Sequence, residues 1–400
     1  MPVHSLNVAV VFGGRSVEHD VSIITGIQAC EVLSVRHRPL PVYIDRAGRW
    51  YAGERLLQID AYRQADFEEL AVTFDVGAGV LTQRPSRQRG LRGRRGGEPT
   101  PFRPDVVLPA THGTQGEDGC LQGLLELSDL PYAGPTHEAA VLAMNKAITK
   151  ALLRSAGVPV LDDLVLRREE FAIGQGAGSV KRVTERFSLP VYVKPVSLGS
   201  SIGVSRCSDE SELLEALELA FELDRTVLVE PAVQAGIEVN CAVLGRPGVG
   251  PRASVCEQPV ASNGFLSFED KYMRGGKAPA GKQAGKAGMS SMQRLIPAPI
   301  PDEQAQQVKR LAEQTFTTLG CAGVARVDTL IDAHGQIYVN ECNTIPGSFA
   351  FYLWEPAGMP FADLMDELLE LALAEHRERT RTTRTFESNL LTARAGGAKS

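Results

Sequence analysis

The sequence predicts an α/β protein that combines parallel and antiparallel sheet, and three observations carry that prediction. After Asn7, residues 8 to 12 are an unbroken apolar run ending in Gly13-Gly14 just ahead of a helix-compatible stretch. That is how a buried parallel strand turns into a helix N-terminus. Residues 326 to 343 are two β-rich runs joined by a short turn containing Gly335, which reads as an antiparallel hairpin. Just before it, Val308, Leu311, Ala312, Phe316 and Leu319 recur at helical spacing and Gly320 stops the pattern. At 400 residues the chain exceeds one typical core, so two or three packed domains are expected.

Composition narrows the function. A net charge of −6 argues against a general nucleic-acid binder. Seven cysteines without a C-x-x-C pair suggest reduced thiols rather than a disulfide frame or a zinc site. No charged leader and no 18-residue apolar span occurs, so no membrane partner and a cytoplasmic location are expected.

The elements follow in order. In the turn after the first strand stand Arg15, Ser16, Glu18, His19 and Asp20, where open α/β sheets bind small ligands, and a helix is expected from about Ser22. Residues 84 to 104 carry seven arginines among Gly, Pro, Ser and Gln and should form a solvated mobile loop. A strand from Asp105 leads into Thr111-His-Gly-Thr-Gln-Gly-Glu-Asp-Gly, in which His112 serves as a base or fixes loop geometry and Glu117 suits the dipole of the following helix. One helix is expected over 138 to 156, with Lys146 and Lys150 solvated. Lys194 sits in an apolar strand before Val196-Ser-Leu-Gly-Ser-Ser-Ile-Gly203, a loop that can cradle phosphate through backbone N–H groups while the ammonium matches its charge. Glu230 and Glu238 stand at strand ends, where a carboxylate can hold an adenine amino group or a ribose hydroxyl. Residues 273 to 289 are too rich in Gly, Ala and Lys to pack, and either close over phosphates or form a plain loop. The last helix is expected over 361 to 376, with a disordered tail beyond.

In the hairpin, a turn centred between His334 and Gly335 sets Asp332 opposite Ile337, Asp328 opposite Glu341 and Arg326 opposite Asn343. Period two then brings Arg326, Asp328, Glu341 and Asn343 to one face. Facing carboxylates repel unless a cation lies between them, and carboxylates with an amide oxygen are the ligands Mg²⁺ prefers. Arg326 beside them would meet an anion, most simply a phosphate. Taken alone, a solvated strand face is the competing reading.

Six blocks together resemble the D-alanine:D-alanine ligase family of ATP-grasp enzymes. They are Val-Phe-Gly-Gly-Arg-Ser-Val-Glu-His-Asp (11 to 20), residues 112 to 127, Met-Asn-Lys (144 to 146), Val-Lys-Pro-Val-Ser-Leu-Gly-Ser-Ser-Ile-Gly (193 to 203), Lys271-Tyr272, and Arg-Val-Asp with Glu-Cys-Asn-Thr-Ile-Pro-Gly. Family order holds from residue 8 to about 375. The resemblance implies three domains: an N-terminal α/β domain over 1–136 with the first-substrate site, a small central subdomain over 137–233, and a C-terminal subdomain over 234–376 with an antiparallel sheet and the metal site. It implies two Mg²⁺ ions, or Mn²⁺ in their place, at Asp328, Glu341 and Asn343, with ATP as co-substrate. Lys146, Lys194 and Ser201 would touch nucleotide phosphates, Glu230 and the backbone near Val233 the adenine, and Glu238 the ribose. Phe265 and Phe268 would line the nucleotide pocket, and Lys271 and Arg326 would hold the transferring phosphoryl group. Glu18 would pair with the first amino acid's ammonium, linked to Ser200 and Tyr272. His112, Glu117, Gly347, Tyr352 and Leu353 complete the implied substrate site. By analogy with the family a homodimer is expected.

The chain departs from that pattern after Pro346-Gly347. Family members carry a segment like Met-Thr-Ser-His-Ser-Leu, whose later serine helps bind the second substrate's carboxylate; here Tyr352 stands in its place. Asn145 likewise stands for a more usual Asp. The resulting expectation is an ATP-dependent ligase forming D-alanyl-D-alanine through an acyl phosphate. A related dipeptide or depsipeptide ligase with another second substrate is the alternative, and a non-catalytic nucleotide-binding homologue is the rival outside the enzyme class.

Overall fold

A computed structural model describes residues 5–64, 66–84, 101–171, 176–233, 236–260 and 294–383. Phe265, Phe268, Lys271, Tyr272 and the stretch after them therefore lie outside the described residues.

Three sheets organise the chain. The first holds β1 (Asn7–Gly13), β2 (Arg38–Ile44), β3 (Trp50–Ala52), β4 (Ala71–Asp75), β5 (Val80–Gln83) and β6 (Val106–Pro109), in the order β5-β4-β3-β2-β1-β6. β1 runs parallel to β2 and β6, and the outer strands pair antiparallel. Being central and covered on both faces, β1 is buried from Val8 to Gly13, which is why its sequence is a continuous apolar run rather than an alternation.

The second sheet is antiparallel: β7 (Leu164–Arg167), β8 (Val191–Pro195), β9 (Ser205–Cys207) and β10 (Thr226–Pro231), ordered β7-β10-β8-β9. Helices Gly176–Arg186 and Glu210–Leu223 share one apolar cluster with it. The third holds β11 (Ile237–Arg246), β12 (Val249–Pro259), β13 (Arg294–Leu295), β14 (Gly323–Ile331) and β15 (Ile337–Asn343), ordered β13-β12-β11-β14-β15. Helix Asp302–Thr318 packs Val308, Leu311, Ala312 and Phe316 onto it.

Helix Phe361–Thr380 ties the first sheet to the third. Leu364, Leu368 and Leu369 are at most 1% exposed and share a cluster with Val8 and Phe12 of β1 and with Leu244 and Val324 of the third sheet. Each such leucine contributes about 2 kcal/mol of burial. The helix also runs past the residue 376 expected, because Arg379 donates to Glu126 Oε1 (3.0 Å) and Leu130 O (3.3 Å), which anchors its last turn.

Three further expectations are corrected. The helix of 138 to 156 is two helices, His137–Met144 and Lys146–Ser155. Asn145 is extended and its side chain accepts from Ile148 N at 3.0 Å, so it caps the second helix rather than continuing the first. Lys150 is 1% exposed instead of solvated. The hairpin keeps Asp328 opposite Glu341 and Arg326 opposite Asn343, but Ile337 faces Ile331, not Asp332. A five-residue turn over 332–336 shifts the register by one, and a bulge between Asp328 and Thr329, which leaves Asn340 as the extra residue, shifts it back.

Candidate active site

The start of helix His19–Leu33, the loops around 112–119 and 197–203, and one face of the third sheet meet around a pocket of about 50 Å³. Glu18, His112, Glu117 and Ser200 line it together with Arg326, Glu341, Asn343 and Gly347. Thus blocks more than 300 residues apart in sequence come together. Glycine makes the approach possible: at Gly113, where φ is +71°, a Cβ would lie 2.4 Å from Ser16 Oγ and 2.6 Å from Glu18 Oε2.

The substrate-side groups are held by short links. Glu18 precedes its helix and is 6% exposed; Ser200 Oγ donates to its Oε1. Ser200 and Ser201 both adopt left-handed backbone, φ 55° and 59°, which bends the Ser/Gly loop back towards Glu18. Glu117 accepts from Gly113 N (2.7 Å) and from Ile345 N (3.1 Å), so it joins its loop to the segment after β15. Burial, followed by the nearby Glu18 carboxylate, pushes Glu117 up to about 8 against those two N–H bonds. His112 Nε2 lies 2.9 Å from Thr25 Oγ1, and burial pulls the ring down to about 4. A ring so held is neutral at pH 7 and fixes geometry.

On the hairpin, Arg326 binds both oxygens of Asp328 at 2.6 Å, and Asn343 Nδ2 donates to Asp328 Oδ2 at 3.0 Å. Burial raises Asp328 to about 6, with Arg326 opposing and Glu341 and Glu238 adding to the rise. The buried Asp328 carboxylate, the half-buried Glu341 carboxylate and two amides, Asn343 and Asn240, gather here; Asn240 Oδ1 is buried and meets no hydrogen-bond partner among the described residues. Among the described residues no group of three or more His, Cys, Asp or Glu gathers, and the polar groups on this face, Asp328, Glu341, Asn343 and Asn240, offer only oxygen donors to a cation. That donor set fits Mg²⁺. Arg326, bound to Asp328, supplies the positive charge these carboxylates require.

A second cavity, about 320 Å³, adjoins the first, since Glu238 and Pro259 line both. Lys194, Glu230, Val233 and Glu238 line it with Tyr192 and Leu330. Lys194 Nζ is 2.5 Å from Glu230 Oε2 and 3.0 Å from Asn340 Oδ1, the residue extruded by the bulge. Glu230 also takes Lys150, so its carboxylate is shared by two lysines rather than offered to a base. Burial and then Lys194 pull the Lys150 ammonium down to about 7, with the Asp163 and Asp162 carboxylates opposing that fall. Lys146, first residue of its helix, donates to Leu198 O (2.6 Å) and lies 3.5 Å from Glu341 Oε2.

Two implied substrate residues do not reach the pocket. Leu353 is fully buried in the main apolar cluster, and Tyr352 directs its hydroxyl to Glu257 Oε1 at 3.2 Å. The residues that sequence reasoning missed are Lys150, Asn240, Glu257, Arg294 and Asn340. Only Lys150 had a signal, a lysine one helical turn from Lys146.

The comparisons with known proteins bear on the same residues. The family model "D-ala D-ala ligase N-terminus" matches residues 7–135 and "D-ala D-ala ligase C-terminus" matches 152–370. D-alanine--D-alanine ligase A of Salmonella typhimurium is 35% identical over 377 residues, 93% of this chain and 96% of that protein. The solved D-alanine-D-alanine ligase from Coxiella burnetii superimposes with TM-score 0.75 at 30% identity, covering 95% of this chain and 97% of the other. VanG D-Ala:D-Ser ligase from Enterococcus faecalis superimposes with TM-score 0.73 at 27% identity, covering 92% and 99%. With both halves matched, near-complete coverage of a relative and the acidic hairpin folded against the Ser/Gly loop, the chain belongs to the D-alanine–D-alanine ligase family and has its ATP-grasp fold.

Proposed function

We propose that this protein is an ATP-dependent ligase that joins two D-alanine molecules through an acyl phosphate, making a dipeptide for peptidoglycan precursors. The observation that carries the reading is the meeting of the two cavities at Glu238, beside Arg326, Asp328 and Glu341: a nucleotide in the larger one would point its phosphates at a carboxylate held in the smaller.

A carboxylate is a poor electrophile. Transfer of the γ-phosphoryl group from ATP to the first D-alanine converts its carboxylate oxygen into a leaving group and releases ADP. The amine of the second D-alanine then attacks the acyl carbon, the amide C–N bond forms, the C–O bond to phosphate breaks, and inorganic phosphate and a proton leave. In this scheme Glu18, backed by Ser200, orients the first ammonium. Lys146 and Lys194 offset phosphate charge, and Arg326 with the Gly347 backbone N–H stabilises the tetrahedral oxyanion. Asp328, Glu341 and Asn343 would hold divalent magnesium, which would supply charge neutralisation on the phosphates. Domain limits at 1–136, 137–233 and 234–376 accord with the three separate sheets. The reading assigns the enzyme to the cytoplasm, where its nucleotide is; among the described residues no helix is long and apolar enough to cross a membrane.

The test is ADP release with D-alanine, followed by mass spectrometry of the product. If neither D-alanine nor any amino-acid pair accelerates ATP hydrolysis, the reading falls. D-Serine and D-lactate as second substrates separate it from the depsipeptide and mixed-dipeptide alternative.

A further inference from the structure

The geometry points to Arg294 as the group that receives the carboxylate of the second amino acid. This rests on the ligase reading above and deepens it. Arg294 begins the two-residue strand β13, lines the small pocket with Arg326 and Gly347, and its side chain is 9% exposed. Among the described residues two contacts hold it, and a third ties those two partners together. Its guanidinium carbon lies 3.9 Å from the centre of the Tyr352 ring, its Nη1 is 3.1 Å from Glu257 Oε2, and the other Glu257 oxygen accepts from Tyr352 Oη at 3.2 Å. A closed triangle of ring, carboxylate and guanidinium holds the planar fork in one orientation.

The charge inventory favours this arginine. An α-amino acid taken out of bulk water into the pocket carries a carboxylate that requires a cation. Arg326, the neighbouring arginine, already spends two donors on Asp328 at 2.6 Å. The residue that stands where relatives place a small hydroxyl, Tyr352, has turned its phenol away to Glu257 and presents its ring as a platform instead. The donor task that a hydroxyl would perform thus passes to the side chain lying on that ring. A guanidinium offers a carboxylate two parallel N–H bonds, where a hydroxyl offers one.

The competing account is that Arg294 only pins β13 to β12, whose pairing sets it opposite Pro259. An internal competition separates the two. The full chain is given ATP, Mg²⁺ and an equimolar mixture of D-alanine and D-alaninamide, and the ratio of D-alanyl-D-alanine to D-alanyl-D-alaninamide is read by mass spectrometry. The amide keeps the amine and the methyl group and loses only the carboxylate charge. The wild type should make almost entirely the free dipeptide. Arg294→Met should move the ratio roughly 100-fold towards the amide, and Arg294→Lys should recover part of it. Because both products come from the same folded molecules, partial unfolding cannot imitate the change. An unchanged ratio with lower total turnover would make Arg294 structural and overturn the assignment. Absence of any dipeptide from the wild type would instead overturn the ligase reading itself.

Discussion

Strand β15 and the turn that follows it feed the same pocket by opposite means. β15 supplies Glu341 and Asn343 from extended backbone, one on each side of the buried Cys342, as period two requires. Five residues after Asn343, Ser348 begins a run with Phe349 and Ala350 at φ of 51°, 55° and 52°, three successive L-residues in left-handed conformation. Such residues ordinarily occur singly, at a cost of about 1–2 kcal/mol each. The turn persists because its surroundings fix it: Ser348 Oγ donates to Gln28 Oε1 at 2.7 Å, Ser348 N reaches Thr25 Oγ1 at 3.5 Å, and Phe349 and Ala350 are buried in the main apolar cluster. The strand is set by its own sequence pattern, whereas the turn is set by what it packs against.

The sharpest way to break that contrast is Asp328→Ala. If the hairpin face carries the phosphoryl chemistry, D-alanine-dependent ADP release should fall about 10³-fold, since stabilisation of developing charge is commonly worth that much. The circular dichroism spectrum should stay that of the wild type. Loss of less than about tenfold would mean that the acidic face is incidental.

This contrast also explains what the sequence discloses. The carboxylate pair at Asp328 and Glu341 is legible because residue type and period-two spacing suffice to bring it together, and the order of the six blocks identifies the fold. The Asn340 bulge is not legible: the hairpin count happens to give the right partners at the far end because two one-residue shifts cancel. The left-handed turn is hidden because nothing in Ser-Phe-Ala resembles the Gly or Asn that normally marks positive φ. Glu230 illustrates a third limit, since its partners, the buried Lys150 and the half-buried Lys194, lie 80 and 36 positions away in sequence.

A second prediction concerns the turn's support. His112 touches Thr25, and Thr25 in turn receives Ser348 N. Its pKa in the folded protein, about 4, lies below the usual 6.5, so the unfolded chain binds the proton first as pH falls. The stabilisation from the neutral ring is present in full above about 6.5 and is lost as pH drops towards 4. At about 1.4 kcal/mol for each pH unit, the loss approaches roughly 3 kcal/mol. Urea unfolding of wild type and His112→Gln between pH 7 and 4.5 should show the wild type losing more. Equal losses would remove His112 from the account.

The bulge permits a finer cut. Asn340 is the extra residue, and deleting it leaves Glu341, Cys342 and Asn343 with their present partners in a regular ladder. What disappears is the 3.0 Å bond from Lys194. The shortened chain should therefore fold and retain turnover at saturating ATP, with KM for ATP raised about tenfold, the worth of one charge-assisted hydrogen bond. A collapse of turnover at saturating ATP would show that the bulge sets the metal face as well.

The smallest expected effect tests the strain in the turn. Replacing an alanine by glycine in ordinary helix costs about 1 kcal/mol of backbone entropy, and burial of the lost methyl adds about 0.8 kcal/mol. Ala372, 4% exposed inside helix Phe361–Thr380, is such a site, so Ala372→Gly should destabilise by roughly 2 kcal/mol. Ala350 is equally buried, but its φ of 52° and ψ of 29° are what glycine tolerates freely. There the same two losses are offset by about 1–2 kcal/mol of relieved left-handed strain. Ala350→Gly should therefore lie within about 1 kcal/mol of the wild type in urea unfolding. If both substitutions cost the same, the turn stores no strain, and the strand and the turn would be shaped by the same local preferences after all.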